Sequence, residues 1–519
     1  MNRAALISAL DDRRDPWDVV VIGGGATGLG AGVDAASRGY ATLVIEQHDF
    51  AKGTSSRSTK LIHGGVRYLA QGRLGLVRHA QRERQLLLQN APHLVHDLAF
   101  LVPAYSFWEL PAYFLGLKAY DLLAGRFGRG ASRLVSRNET LQRAPALIPT
   151  SLRGGLLYHD SQFDDARLAI TLARTLVNLG GTAINYLRVS ALLKSCGKVY
   201  GVRVCDLETG REFEVSARVV VNAAGVFADQ VLQMDHPPER RLISPSQGIH
   251  VVLDRQALGG DCAVVVPHTD DRRILFAIPW HGKVLVGTTD TPVPEPALEP
   301  RPLEEELNFL LENAARYLTT MPDRSQILSV FAGLRPLVAG RARQRSASVS
   351  RDHHIEVAES GLVTIVGGKW TTYRHMAEDT INKAAEVASL PSSPTRTREL
   401  PLHGWTANGH DADWLSVYGT DKNGIRDLIV LEPALAEKLH PRLPYLKAEV
   451  VWAARHEMAR TVEDVLSRRT RALLLDARAS IEAAPATAEL LAAELVRGVD
   501  WAHAQIAEYT ALARNYLPS

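Results

Sequence analysis

Trp17-Asp18-Val19-Val20-Val21-Ile22-Gly23-Gly24-Gly25-Ala26-Thr27-Gly28 decides the fold. Its first half is a short apolar run rich in β-branched residues, the pattern of a strand buried on both faces of a parallel sheet. Its second half matches G-x-G-x-x-G, where the chain must turn tightly and let a diphosphate reach the backbone unobstructed by side chains. Ala26 to Arg38 carries small residues, with Leu29 and Val33 at helical spacing. The turn therefore opens a helix whose free N–H groups and dipole suit an anion. Ala41 to Glu46 is a second buried strand, and Glu46 stands 18 residues beyond Gly28, where a carboxylate can accept ribose hydroxyls. Strand, turn, helix and strand form a βαβ unit, so the fold class is α/β and Rossmann-like. Gly23, Gly25, Gly28 and Glu46 are the expected nucleotide contacts. A glycine-rich turn in some other α/β fold is the alternative, and the motif's context argues against it.

Outward from that unit, 519 residues exceed one compact core and suggest two or three domains. A formal net charge of +2 gives no global field for nucleic acid, which is not expected as a partner. Cys196, Cys205 and Cys262 are spread out with no CxxC or metal-ligand spacing, so a disulfide scaffold or metal site is not expected. They fit a reducing, cytoplasmic setting better. The N-terminal stretch lacks the apolar core of a signal peptide, and no window supports a transmembrane helix, so any membrane contact must be peripheral.

Residues 70–100 look helical and rich in arginine, and Arg167–Leu179 reads as a helix ended by Gly180-Gly181. Strand-like runs recur at 197–205, 212–221, 249–253, 262–266, 274–279 and 284–288, and a helix is expected at Glu304–Leu318. Pro391-Ser392-Ser393-Pro394 is the best linker, beyond which the chain is alanine- and leucine-rich and mostly helical, notably at 447–475 and 487–515.

The glycine turn does not choose between FAD and NAD. Thr54-Ser55-Ser56-Arg57-Ser58-Thr59-Lys60-Leu61-Ile62-His63-Gly64-Gly65-Val66-Arg67-Tyr68 offers the many small donors that a long flavin tail requires. It resembles the SS-x-SSKLIHGG-x-RYL signature of flavin-dependent glycerol-3-phosphate dehydrogenases, with Thr59 in place of a serine. Val221-Asn222-Ala223-Ala224-Gly225, Ile278-Pro279-Trp280, Gly287-Thr288-Thr289-Asp290, Phe331 to Leu337, Gly367 to Arg374, Arg455 to Ala459 and Asp464 to Arg471 resemble further family segments in order. The likeness covers about residues 17–475. It implies an FAD-binding domain at 1–100, continued at about 155–240 and 330–390. An inserted antiparallel-sheet substrate domain would occupy 101–154 and 241–329, and a C-terminal helical domain 400–519.

The resemblance further implies oxidation of sn-glycerol 3-phosphate to dihydroxyacetone phosphate, with FAD as cofactor and electrons passed to a quinone. Thr54, Ser55, Ser58, Lys60, His63, Gly64, Gly65, Val189, Gly225, Gly368 and Thr371 would join the cofactor contacts. A phosphomonoester calls for Arg or Lys. Arg67, Arg335, Arg351 and Lys369 are the candidates, with Tyr68 and Tyr373 beside them as substrate contacts. The flanking glycines and apolar residues of Arg335 and Lys369 suit charges held in a site, where they could also stabilise a developing alkoxide. His250 is the leading candidate for the proton acceptor, because histidine titrates near the working pH. A hydrogen-bonded core histidine is the competing reading. Thr371 and Thr372 could also simply cap a helix running to about Ser389.

Phe107-Trp108, Tyr113, Phe114 and Leu115, with Arg126 and Arg129 nearby and Arg73, Arg78, Arg82 and Arg84 upstream, suit a helix lying in the headgroup region of a membrane. The expected location is cytoplasmic, peripherally associated with the inner face of the cell membrane, with a homodimer among the assemblies the sequence allows. A flavin-dependent oxidase using oxygen, of glycerol-3-phosphate or amino-acid oxidase type, and a non-catalytic flavin-binding scaffold are the alternative functions.

Overall fold

A computed structural model describes residues 1–65, 74–124, 130–236, 241–271, 273–319, 323–339, 353–407, 409 and 413–518. Among these, the strands are β1 (Trp17–Ile22), β2 (Thr42–Ile45), β3 (Leu61–Ile62), β4 (Val95–Ala104), β5 (Arg133–Ser136) and β6 (Gly154–Phe163). There follow β7 (Thr182–Ile184), β8 (Leu187–Ser195), β9 (Lys198–Asp206), β10 (Glu212–Asn222), β11 (Ile243–Asp254) and β12 (Ala263–Val266). The last are β13 (Leu275–Trp280), β14 (Lys283–Gly287), β15 (Thr291–Pro292), β16 (Ser329–Val338), β17 (His353–Val357) and β18 (Val363–Gly367).

The smaller sheet has the order β17-β18-β10-β1-β2-β7, with β8 and β9 extending from β10. Its centre is parallel: β1 pairs with β2 and β10, β10 with β18, and β2 with β7. Val19, Val20 and Val21 are wholly buried, as a central strand covered on both faces must be. One face packs on the helices Ala26–Ser37, Asp165–Asn178 and Tyr373–Val387, and the other on apolar residues of β8 and β9. The helix Asp165–Asn178 begins where the Asp164 carboxylate accepts the Arg167 N–H, and the chain leaves it through Gly180 at φ +83°.

The larger sheet runs β15-β11-β14-β13-β12-β4-β6-β3, with β16 on β11 and β5 on β6. It is antiparallel except where β12 meets β4. The helix Glu304–Ala315 covers one face. The other face shares a core with Leu466, Leu473, Ala483 and Leu491 of the C-terminal helical region. A Rossmann-like sheet, a largely antiparallel sheet and a helical C-terminal region are thus all present.

Several local expectations need correction. Residues 70–100 are not one helix: Leu74–Asn90 is helical, and β4 follows with its edge paired along β6. β6 and β16, grouped above with the nucleotide-binding segments, lie in the larger sheet, because their backbones pair with β4 and β11. The stretch at Pro391–Pro394 is no loose linker. Tyr40 donates to the Pro391 carbonyl at 2.7 Å, and Ser393 donates to the Arg38 carbonyl at 3.1 Å. The mostly helical stretch expected at 447–475 consists of Lys447–His456, a π-helical turn at Asp464–Arg469, and Ala472–Leu475. No helix among the described residues is long and apolar enough to cross a membrane, and no group of three or more His, Cys, Asp or Glu residues there could hold a metal ion.

Buried charges tie the helical region to the smaller sheet. Asp49 receives Arg468 at 2.6 Å and Arg469 at 2.7 and 2.8 Å, and Arg167 makes a two-pronged pair with Glu457 at 2.8 Å on each arm. All of these groups are buried. Arg468 and Arg469 hold the Asp49 carboxyl below the ordinary carboxylate range, although burial alone would raise it.

Candidate active site

A continuous cavity of about 970 Å³ runs from the glycine turn to the larger sheet. At one end, Gly23 sits at φ +115°, and a methyl group there would lie 2.5 Å from the Ala223 carbonyl oxygen. A side chain is doubly excluded. The helix Ala26–Ser37 has no side-chain cap from Gly25, and Gly23, Gly25, Ala26 and Thr27 line the cavity, so first-turn N–H groups beyond that of Ala26 are left for an anion. Ser55 Oγ accepts the Ala26 N–H at 2.9 Å, which fixes the hydroxyl-rich segment beside that turn. The Glu46 carboxylate is held by the N–H groups of Gly24 at 2.7 Å and His48 at 2.8 Å. Burial raises its pKa, against the pull of those two donors. A bare-backbone cradle at a helix start, with a fixed carboxylate beside it, fits the diphosphate and ribose of a dinucleotide.

Further along, Val189, Gly225, His63, Gly65, Gly368, Lys369, Thr371 and Tyr373 line the same space, with Thr54, Ser55 and Ser58. Thr54 donates to the Leu334 carbonyl at 2.6 Å, which joins the hydroxyl segment to β16. Lys369 is the residue from which the turn Trp370–Thr372 and the helix Tyr373–Val387 start. Trp370 donates its ring N–H to the Ser55 carbonyl at 3.0 Å. The segments Phe331–Leu337 and Gly367–Arg374 are therefore both tied to the hydroxyl-rich segment.

At the far end stand His250 and Arg335, on the adjacent strands β11 and β16. Arg335 reaches across Gly248 and donates to Thr288 Oγ1 at 3.1 Å, the Thr289 carbonyl at 2.8 Å and Asp290 Oδ1 at 3.1 Å. His250 is 3% exposed and stacks on Phe331, and its Nε2 lies 3.0 Å from Thr59 Oγ1. Burial, then the charges of Lys60 and Arg335, hold its pKa well below the ordinary value, so it does not titrate near the working pH as the sequence reading expected of a proton acceptor.

Three expected contacts are placed elsewhere. Lys60 is wholly buried and does not line the cavity. Its ammonium is taken up by Asp165 at 2.6 Å and the Ser56 carbonyl at 2.8 Å, because a buried cation must find a carboxylate. Gly28 serves packing of the helix on the turn, and Gly64 packs its bare Cα against Gln81 and Tyr120. Tyr373 lines the cavity while its ring packs in the core against Gly30 and Trp370. Arg67, Tyr68 and Arg351, with Arg73, Arg126 and Arg129 of the suggested membrane patch, lie outside the described residues. Two partners were not read from the sequence. Thr59 was noted only as a departure from a motif, and Asp290 was quoted in Gly287-Thr288-Thr289-Asp290 without a role. An acid ending a glycine- and threonine-rich strand end was the available signal for the second.

The two sheets and the cavity between them define an FAD-dependent oxidoreductase, and residues 18–374 match the family described as FAD dependent oxidoreductase. Residues 362–505 match the C-terminal domain of alpha-glycerophosphate oxidase. The mitochondrial glycerol-3-phosphate dehydrogenase of Bos taurus is 38% identical over 99% of this chain and 75% of its own length. That of Saccharomyces cerevisiae is 36% identical over 92% of this chain and 86% of its own. The chain belongs to the flavin-dependent glycerol-3-phosphate dehydrogenase family. The solved glycerol-3-phosphate dehydrogenase of Bacillus halodurans, complexed with FAD, superposes with a TM-score of 0.82 at 28% identity, covering 99% of this chain and 98% of that one. The L-alpha-glycerophosphate oxidase of Mycoplasma pneumoniae shares the fold at a TM-score of 0.56 and 18% identity, over 74% of this chain and 97% of its own.

Proposed function

We propose that the protein oxidises sn-glycerol 3-phosphate at its secondary alcohol to dihydroxyacetone phosphate and passes the electrons to a quinone. The observation that carries this reading is that His250, bonded to Thr59, and Arg335 line the same cavity from paired strands. FAD bound in the cavity supplies the acceptor for the hydride that leaves C2. His250 takes the hydroxyl proton, which balances the loss of a hydride and a proton from the alcohol, and Thr59 orients the imidazole. Arg335 and Lys369 hold the phosphate and offset negative charge growing on the C2 oxygen. Asp290 and Thr288 keep the Arg335 guanidinium extended toward the cavity.

The quinone reading is supported by an apolar extension of the cavity lined by Phe100, Val102, Leu115, Leu117, Ile274 and Phe276. Leu115 and Leu117 belong to the helix Glu109–Ala124, which carries Leu115 and Leu122 at 74% and 82% exposure, with Trp108 just before it at 87%. Exposed large apolar side chains on a helix beside a redox cavity suit a membrane surface from which a lipid-soluble acceptor arrives. The location proposed is accordingly cytoplasmic, on the inner face of the cell membrane. The same cavity could admit oxygen, and the C-terminal match to an oxidase keeps that acceptor in view.

Anaerobic addition of glycerol 3-phosphate should bleach the bound flavin, while glycerol should not. A short-chain quinone should then restore the colour faster than air. Flavin that stays oxidised rejects the substrate, and faster recovery with oxygen accompanied by hydrogen peroxide rejects the quinone.

A further inference from the structure

Beneath the cavity lies a buried group of charges that the proposed reaction leaves unused. Lys60, within the hydroxyl-rich segment, donates to the Ser56 carbonyl at 2.8 Å and to Asp165 Oδ2 at 2.6 Å. Arg471, just past the π-helical turn of the C-terminal region, reaches the same two residues. Its guanidinium donates to the Ser56 carbonyl at 2.7 Å and to Asp165 Oδ1 at 3.1 Å, and is tied back to the Ser467 carbonyl at 3.0 Å. Asp164 Oδ1 stands 3.7 Å from its Nε. The Asp165 carboxylate also accepts the Ser58 N–H at 3.0 Å and the Ser58 hydroxyl at 2.7 Å. Ser56, Ser58 and Lys60 are therefore all anchored from below. Between the last two stands Thr59, whose hydroxyl meets His250 Nε2 at 3.0 Å.

We propose that Arg471 is a positioning residue of the active site: with Lys60 and Asp165 it clamps the segment Ser56–Lys60, so that the Thr59 hydroxyl holds the His250 imidazole in the orientation that proton acceptance requires. The inference rests on the reading of His250 given above. Arg471, Lys60 and Asp165 are each buried to 1% exposure or less, and a buried ion group is a poor way to gain stability compared with apolar side chains of the same volume. Its value lies in direction, since a planar guanidinium sets the angle between its acceptors, whereas an ammonium on a flexible stem does not. The segment also needs holding, because Lys60 has a φ of +62°, a backbone state that a residue with a Cβ adopts at a cost. The helical region thereby touches the chemistry without lining the cavity: Arg471 is not among the cavity's residues, whereas Ser58 and Thr59 are.

The test compares wild type, Arg471→Met, Arg471→Lys and Arg460→Gln as flavin-loaded full-length proteins. Arg460→Gln is the control, since it breaks a pair to Glu208 made by the same helical region away from the clamp. The rate of anaerobic flavin reduction by glycerol 3-phosphate should fall by about tenfold or more in Arg471→Met, with KM within about twofold and flavin content unchanged, because small misplacements at the reacting centre weigh on rate. Arg471→Lys should lie between that variant and wild type, and Arg460→Gln should match wild type. A wild-type reduction rate in either Arg471 variant overturns the proposal. If Arg471→Met does not fold, Arg471→Lys decides by the same criterion. If wild-type flavin is not reduced at all, the functional reading fails on its own. The clamp is then judged by amide hydrogen exchange across Ser56–Lys60, expected faster in the Arg471 variants than in Arg460→Gln; equal exchange overturns it.

Discussion

The Cα of Gly28 faces the carbonyl oxygen of Gly23 so closely that a methyl group added to it would overlap that oxygen. The first turn of the helix Ala26–Ser37 is thereby pressed onto the end of β1, which brings its N–H groups to the cavity mouth. Gly28→Ala should push helix and turn apart, at a cost on the order of 2–3 kcal/mol. The purified variant should be largely colourless and should melt earlier than wild type. A variant that retains a full complement of FAD would show that the close approach is dispensable.

His250→Asn should slow flavin reduction by about 10²–10⁴-fold, the range of a lost general base, while leaving flavin content unchanged. The pH profile separates this role from mere packing. Burial and the charges of Lys60 and Arg335 hold the ring well below its ordinary 6.5, so the wild-type reduction rate should stay level as pH falls through 6.5. An acid limb centred near that ordinary value would show a solvated imidazole instead.

How much of this site was legible depended on whether the signal was local. The glycine turn and Glu46 were readable because their geometry demands particular residue types within one βαβ unit. Lys60 was misread: among hydroxyls and glycines it looked like a cofactor contact, yet its partner Asp165 lies 105 positions away in sequence. Arg84 looked like part of a basic face, but it is buried against Asp160 at 2.8 Å. The first residues of β4 fell within a stretch, 70–100, read as helical, and the strand's pairing with β6 is set by backbone bonds invisible in composition.

Trp108, Leu115 and Leu122 are the side chains to change for membrane contact. Phe114 is only partly exposed and packs against the core of the larger sheet, so altering it would confuse folding with binding. Replacing the three with serine should weaken binding to anionic liposomes by at least about tenfold, with flavin content and anaerobic flavin reduction by glycerol 3-phosphate retained. Undiminished binding would remove this helix from the membrane assignment.

Glu449 offers a stability test. It is buried, accepts the Leu446 N–H at 2.7 Å and the Tyr418 hydroxyl at 2.9 Å, and burial raises its pKa to about 7. The folded protein then keeps a proton that the unfolded chain releases above 4.5, so this group's stabilisation is complete below 4.5 and is lost as pH rises through 7. The loss is on the order of 3 kcal/mol. Melting temperature should fall more steeply between pH 5 and 8 in wild type than in Glu449→Gln, on a pH interval chosen to bracket the value of about 7. Parallel profiles would assign the pH dependence to other groups.

The pairs from Asp49 to Arg468 and from Asp165 to Arg471 span 419 and 306 positions. During synthesis Asp49 leaves the ribosome long before its two arginines exist, whereas Asp165 emerges after Lys60 and lacks only the second of its cations. The buried support beneath the nucleotide segments is therefore completed late, and a product cut short before Arg468 would carry the whole glycine turn without the arginines that pair with Asp49 and Asp165.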